Sequence, residues 1–492
     1  MSLRSSVWIS FGRSGGSFVL QFISSIALAR LLLPSEIGIY SVSMAAIGVL
    51  QALREFGVGR YIVQTPELTE DRLRTAFGTA IVIGWSLAAA VFFGRHLVAD
   101  FYSEPGIAHI LALLSINFLL LPFGQPAMAV MRRERRFGQS TAVSLGSSMV
   151  GIVVSITAAA LGEGPVSMAY GAIAGSLTTT ILALTFQRDH ILLLPGLSEW
   201  RDIWRFGAVA SGSNVVVSLA AAAPDLLIGR LLGFAPVGIY SRGLSLAMIF
   251  ERVFSGSLNW VVGPELASMR RDGRKLTALV TTTTDVTVAI GWPVLIFLAF
   301  NADAVISLLY GEKWMAVVPV LQFLCVARGV QMFVTSAPAV YEGTGAVKLQ
   351  LRNEIIIQVI SVSMILLGAL YSLEAVAALR IVTATCVVMI HLTVFRMYAH
   401  IGLRHLLVSL WRPAVMALAF AALQLLMSIV KPAVPSNSWE AMAEIVVEGI
   451  VSAAWYILLM KMVGHPVYEE IKAMFSSLMR RSGMGPRVSN EQ

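Results

Sequence analysis

Stretches such as 76–94 and 142–162 hold about twenty residues each without one Asp, Glu, Lys or Arg. A run of that length matches the hydrocarbon core of a bilayer, about 30 Å thick and crossed by roughly 20 helical residues. Hydrocarbon offers backbone N–H and C=O groups no partner, so such a run must satisfy its own hydrogen bonds as a helix. Fourteen hydrophobic windows recur along the 492 residues, at roughly 7–33, 37–53, 76–94, 107–130, 142–162, 165–187, 206–232, 237–262, 279–300, 315–341, 354–371, 374–396, 413–430 and 442–461. Only 13% of the residues are charged and 57% are hydrophobic, against about 25% charged in soluble domains. So little charge cannot cover the surface of soluble domains. The chain is therefore expected to be an all-α, polytopic membrane protein with about fourteen transmembrane helices. A soluble enzyme, a disordered chain and a small secreted scaffold are excluded. The run Gly15–Leu33 has no small-residue cleavage site before a polar mature segment, so it reads as a retained first span.

Lys and Arg orient the spans. With the N-terminus in the cytoplasm, 27 of the 36 basic residues fall on the inner side. Outer segments hold only Arg30, Arg95, Arg230, Lys313 and Lys431. That asymmetry follows the positive-inside rule and supports an even span count with both termini cytoplasmic. The net charge of +8 is thereby a topology signal, and no nucleic-acid partner is expected. Cys325 and Cys386 sit in apolar runs, so neither a disulfide framework nor a cysteine metal pair is expected. There is no GxxxxGK[ST] phosphate loop. No loop is long enough for a separate domain, and the short outer loops argue against a membrane enzyme such as a glycan polymerase or ligase.

The chain also repeats itself. Residues 28–41, LARLLLPSEIGIYS, align with 228–241, IGRLLGFAPVGIYS, at an offset of 200. From Arg30 to Ser41, seven of twelve positions match: Arg30/Arg230, Leu31/Leu231, Leu32/Leu232 and the run Gly38–Ser41 with Gly238–Ser241. Further on, Arg54 and Phe56 match Arg252 and Phe254, and Pro66-Glu67-Leu68 matches Pro264-Glu265-Leu266. Six spans separate the copies. Halves related in this way share one orientation, about an axis along the membrane normal. The expected organisation is a six-helix bundle over 1–200, a second over 201–400, and two extra helices with a basic tail over 401–492.

At this point the sequence resembles the Wzx-type polysaccharide flippases of the multidrug/oligosaccharidyl-lipid/polysaccharide superfamily. The resemblance rests on LARLLLPSEIGIYS after the first span, VMRRERRF (130–137) after the fourth, and the GRLLGFAPVGIYS copy. It implies alternating-access export of a polyprenyl-diphosphate-linked oligosaccharide across a bacterial inner membrane, for exopolysaccharide or lipopolysaccharide synthesis. It also implies contact with membrane lipids and a supply line to polysaccharide polymerase and co-polymerase proteins. Two readings within the superfamily compete, a cation-coupled multidrug antiporter and a lipid II-type flippase. A carrier of organic cations should favour acidic or aromatic lumen residues, whereas the excess here is arginine.

Charges inside apolar spans are costly and usually face a cavity or a partner. On the seventh span Ser211, Asn214, Ser218 and Asp225 form one polar stripe, with Asp225 about 20° around the axis from Asn214. On the first, Ser14, Ser17, Gln21 and Ser24 form a similar one. Both stripes are expected to line a central cleft, although small polar residues also simply pack helices. On the tenth, Arg328, Gln331, Thr335 and Glu342 share a face, with Pro338 set to distort the last turn. The eighth carries Arg242, Glu251 and Arg252, the last also placed to anchor at the interface. The expected cationic cleft comprises Arg242, Arg328, Arg380 and Arg252, lined by Ser14, Ser17, Gln21, Asn214, Ser218, Gln331 and Thr335. Planar guanidinium donors there suit phosphate or carboxylate. No cofactor or metal is expected. Asp225 and Asp285 are the candidates for loading H⁺ or Na⁺, with passive flipping as the alternative. A plain anchoring role suits Arg30 and Arg230 at outer helix ends, and RRERR (132–136) reads as a topology determinant near anionic lipid.

Overall fold

The computed structural model describes residues 18–54, 58–187, 200–252, 277–402, 410–430 and 438–469, with a few isolated residues between these segments. Each of the fourteen hydrophobic windows carries helix within that range. In chain order the helices are α1 (Phe18–Leu31), α2 (Pro34–Arg54), α3 (Val58–Gln64), α4 (Glu70–Tyr102), α5 (Pro105–Arg133), α6 (Phe137–Ala160), α7 (Val166–Phe186), α8 (Trp200–Leu231) and α9 (Phe234–Ala247). They continue with α10 (Thr277–Phe300), α11 (Ala302–Leu309), α12 (Val317–Gln331), α13 (Ala337–Thr344), α14 (Val347–Ala369), α15 (Leu373–Val394), α16 (Trp411–Val430) and α17 (Ser438–Val463). Among the described residues, ten helices are long and apolar enough to cross a membrane. The protein is thus a multi-pass, all-α membrane protein. Large side chains such as Phe93, Leu97, Leu418 and Ile429 lie exposed on the helix surfaces, where lipid rather than water suits them.

Helix ends follow local chemistry. The Thr69 hydroxyl caps α4 by accepting the Arg72 N–H, with Glu70 and Asp71 in the first turn where the helix dipole favours them. Glu104 caps α5, whose first residue is Pro105. Between α6 and α7 the chain turns through Gly162 (φ 90°) and Gly164 (φ 54°), a left-handed backbone that keeps the two Ser/Gly-rich segments separate helices.

The chain forms two compact units. One holds Met1–Ser245, Leu309–Val320 and Glu354–Leu379, the other Leu246–Leu308, Leu321–Asn353 and Arg380–Gln492. In the first unit, α4, α6 and α7 pack around α5, and α2 packs along α8. Small residues set the α6–α7 crossing: a Cβ on Gly171 would lie 1.9 Å from the Ser155 hydroxyl and 2.5 Å from the Gly151 carbonyl. Ser155 donates across this crossing to the Ser167 carbonyl at 3.2 Å. In lipid, where helices gain nothing from burying apolar area against each other, such close backbone approach supplies the contact.

The second unit is built on α10, which packs against α16, itself paired with α17. Its core includes Ala289, Met416, Phe420, Tyr456, Leu459 and Met460. The polar chain Asn301–Gln424–Ser452 is buried there, with bonds of 3.1 and 2.7 Å. The span holding Arg328 is not one continuous α-helix. It passes through a 3₁₀ turn at Met332–Val334 before α13 begins at Ala337. Pro338 has no N–H for the Val334 carbonyl four residues back, so the break falls where the expected proline distortion puts it.

Candidate functional site

Within the first unit the two copies of the repeat meet. A Cβ on Gly38 would lie 1.8 Å from the Phe234 carbonyl oxygen, and one on Gly238 would lie 2.0 Å from that of Pro34. The start of α2 and the start of α9 therefore sit on each other's backbone through the same glycine of each copy. Around this contact Trp314, fully buried, donates its indole N–H to the Ala29 carbonyl at 2.8 Å. The Arg30 Nε donates to the Leu309 carbonyl at 3.1 Å, and Lys313 Nζ to the Arg30 carbonyl at 2.9 Å. Partial burial lowers the Lys313 pKa; Glu36 opposes the shift and Arg30 adds to it. Tyr102 donates to the Leu226 carbonyl at 3.0 Å, tying the end of α4 to α8.

Arg242 lies on α9, eight residues past Phe234 and so about 12 Å along the helix. Its guanidinium donates to the Ser25 hydroxyl of α1 and lies 6.0 Å from the centre of the Tyr310 ring. Its Nε is buried without a hydrogen-bond partner, and no carboxylate among the described residues pairs with it. Neither Ser25 nor Tyr310 was singled out in the sequence. A signal for Ser25 existed: it falls eleven residues after Ser14, back on the face of the first-span stripe. Tyr310 carried none, being a lone aromatic in the connection between two windows.

Along α2 and α8 runs a cavity of about 540 Å3, lined by Tyr40, Ser41, Met44, Gln51, Ser218 and Asp225. Ser218 and Asp225 of the seventh-span stripe thus share one cavity. Ser14 and Ser17 lie outside the described residues, as do the side chains of Ser211 and Asn214. Gln21 is exposed and Ser24 half-buried on α1.

In the second unit, Arg328 Nη1 donates to Glu251 Oε2 at 3.1 Å and to Gln331 Oε1 at 3.0 Å. The next residue, Gly329, has its carbonyl held by the Trp292 indole N–H at 3.0 Å, which fixes the turn just before the 3₁₀ break. Thr335 is half-buried and donates to the Met332 carbonyl at 3.1 Å. Glu342 and Arg252 are exposed, and Arg380 is half-buried on α15. Asp285 Oδ2 lies 3.0 Å from Nε2 of His465, a residue with no exposed side-chain area. The His465 Nδ1 accepts the Val467 N–H at 3.3 Å, and Tyr456 donates to the Ala289 carbonyl at 2.6 Å one turn along from Asp285. His465 escaped the sequence reading because a single histidine after an apolar run has no spacing to mark it. Among the described residues no group of three or more His, Cys, Asp or Glu could hold a metal ion.

A family model described as "Polysaccharide biosynthesis protein" matches residues 27–319. The lipopolysaccharide biosynthesis protein WzxC of Escherichia coli is 26% identical over 62% of this chain and 63% of its own length. The teichuronic acid biosynthesis protein TuaB of Bacillus subtilis is 24% identical over 56% and 58%. The chain thus spans less than two thirds of either relative. The succinoglycan biosynthesis transport protein ExoT of Rhizobium meliloti is 24% identical over 82% of both chains. In fold, the chain is similar to the lipid II flippase MurJ in an inward closed conformation, with a TM-score of 0.75 at 12% identity over 94% of this chain and 99% of that one. It is also similar to an inward-facing multidrug resistance MATE family transporter, with a TM-score of 0.53 at 17% identity over 81% and 95%.

Proposed function

The chain belongs to the family of polysaccharide biosynthesis proteins, and from that premise we propose that it is an alternating-access flippase. Its substrate is a polyprenyl-diphosphate-linked oligosaccharide repeat unit, carried from the cytoplasmic to the outer leaflet of a bacterial inner membrane. The observation that carries this reading is Arg242, whose partners among the described residues are a hydroxyl and an aromatic face but no carboxylate. A cation inside a span without a counter-ion is costly. A lipid diphosphate supplies the missing charge and two or more acceptors for the guanidinium fork. Arg328, tied to Glu251 and Gln331, is a second anion-binding group that exchanges those partners for substrate oxygens. Arg380 and Arg252 are proposed as further cationic groups for the substrate, and Gln331, Thr335, Ser218, Gln21, Ser14, Ser17 and Asn214 as neutral polar ones, on the strength of their places in the sequence. The lipid tail stays in the bilayer while the head group moves.

The same reading places both termini in the cytoplasm, on the strength of the basic residues. It divides the chain into like-oriented bundles over 1–200 and 201–400, followed by two extra helices over 401–492. Asp225, beside Ser218 in its cavity, and Asp285, beside His465, are the groups that would load H⁺ or Na⁺. The polysaccharide polymerase and co-polymerase act downstream of the flipped unit. The names of WzxC and ExoT support the polysaccharide assignment, and the MurJ-like fold supports transport of a lipid-linked sugar.

The test is Arg242→Ala in a strain that depends on this protein for surface polysaccharide. Export is expected to stop, with lipid-linked repeat units accumulating in the inner leaflet and normal protein abundance in the membrane. Unchanged export at normal abundance would remove the cationic-cleft model.

A further inference from the structure

The reciprocal contact between the two repeat copies does more than pack helices. Gly38 lies on the Phe234 carbonyl and Gly238 on the Pro34 carbonyl, at the ends of α2 and α9 that the proposed orientation puts outside. Both glycines are buried in helices with ordinary backbone angles, so the requirement at each is space and not a left-handed φ. Neither helix can carry a side chain there unless the two ends move apart by about 1 Å or more. The segment Leu309–Trp314 is tied to the end of α1, which leads directly into α2, by three hydrogen bonds, those of Trp314, Arg30 and Lys313. The same segment supplies Tyr310 to Arg242, and α1 supplies Ser25. The two elements that meet just before α2 therefore both touch the half-buried cation of α9, the helix on the other side of the crossing.

We propose that the Gly38–Phe234 and Gly238–Pro34 contacts form the outer gate of the transport path, and that Arg242 latches it. In the closed state Arg242 holds α1 through Ser25 and lies against Tyr310 of the segment Leu309–Trp314. An anion that draws the guanidinium away removes both contacts and frees the glycine crossing to open. Gly38 and Gly238 act as positioning residues that permit the closest approach of the two copies, and Trp314 fastens that segment to α1. The proposal rests on the transport reading and its orientation.

The experiment measures access from outside. Ser24→Cys, a half-buried neighbour that leaves the Ser25 hydroxyl to Arg242, is introduced with Cys325→Ala and Cys386→Ala, and intact cells are treated with a membrane-impermeant maleimide. Labelling is expected to be slow with both glycines present and roughly tenfold faster in Gly38→Ala and in Gly238→Ala, because each displaces the same pair of helix ends. Gly94→Ala, whose Cβ meets nothing within 4 Å, should label at the parental rate. Trp314→Phe, which loses the bond to Ala29 without adding volume, should also speed labelling. It keeps the test decisive if an alanine variant fails to reach the membrane. Parental labelling rates in Gly238→Ala and Trp314→Phe, at normal abundance, would overturn the gate. Labelling needs no substrate, so a protein that flips no lipid-linked sugar would still reveal its gate, and the two readings fail separately.

Discussion

A guanidinium with no carboxylate partner among the described residues is informative because the alternatives are so expensive. Replacing Arg242 by Lys keeps the charge but loses the planar fork. Export in Arg242→Lys is expected to fall well below the parent while exceeding that of Arg242→Ala, measured as polysaccharide released per cell. Arg328 differs, since Glu251 already balances it at 3.1 Å. Glu251 is half-exposed, so that pair is weaker than a fully buried one, and a competing anion can displace it. Arg328→Ala is expected to abolish export without loss of protein from the membrane. At Asp285 the expectation concerns stability. His465→Ala leaves the mostly buried Asp285 carboxylate without that partner and should cost about 1–3 kcal/mol, seen as a lower midpoint of thermal unfolding in detergent. Asp285→Asn added to that variant should recover part of the loss. Arginines inside apolar windows were legible in the sequence because composition alone makes them conspicuous. Their partners were not, because Ser25 and Arg242 are separated by 217 residues and only tertiary folding brings them together.

At the scale of elements, hydrophobic length told most of the story, since each window carries helix among the described residues. Breaks within windows were partly readable. Pro338 announced the distortion, and the 3₁₀ turn at Met332–Val334 lies where its missing N–H requires. Pro338→Ala restores that donor and should straighten the span. Thermal stability is then expected to hold or rise while export falls, as happens when a strained element serves motion. The α6–α7 crossing shows the opposite design, with Gly171 packed against Ser155 and the Gly151 carbonyl. Gly171→Leu should push the helices apart and cost about 1–3 kcal/mol, read as lost abundance and a lower unfolding midpoint. For these two helices the packing role of Ser and Gly outweighs any cleft. Sequence could not separate the two roles, because both call for small polar residues.

Across the whole molecule, the distribution of Lys and Arg makes a sharp claim about sidedness. A cysteine placed at Glu163, in the turn between α6 and α7, should react with an impermeant thiol reagent added outside intact cells. One placed at Arg135, between α5 and α6, should react only from the cytoplasmic side. The reverse pattern would invert the proposed direction of transport. Repetition was visible in the chain as seven matches in twelve positions, yet what the matched glycine does was not. A period in sequence records descent, whereas the meeting of the copies depends on the path of every helix between them.

That meeting has a historical consequence. A contact in which each copy offers the same glycine to the same helix start of the other is isologous, the geometry of a twofold homodimer. A single short ancestor could therefore have closed itself by pairing with its twin, one glycine serving both sides of the symmetry axis. In one fused chain the same symmetry sets a simple rule: whatever widens the crossing at one glycine must also widen it at the other.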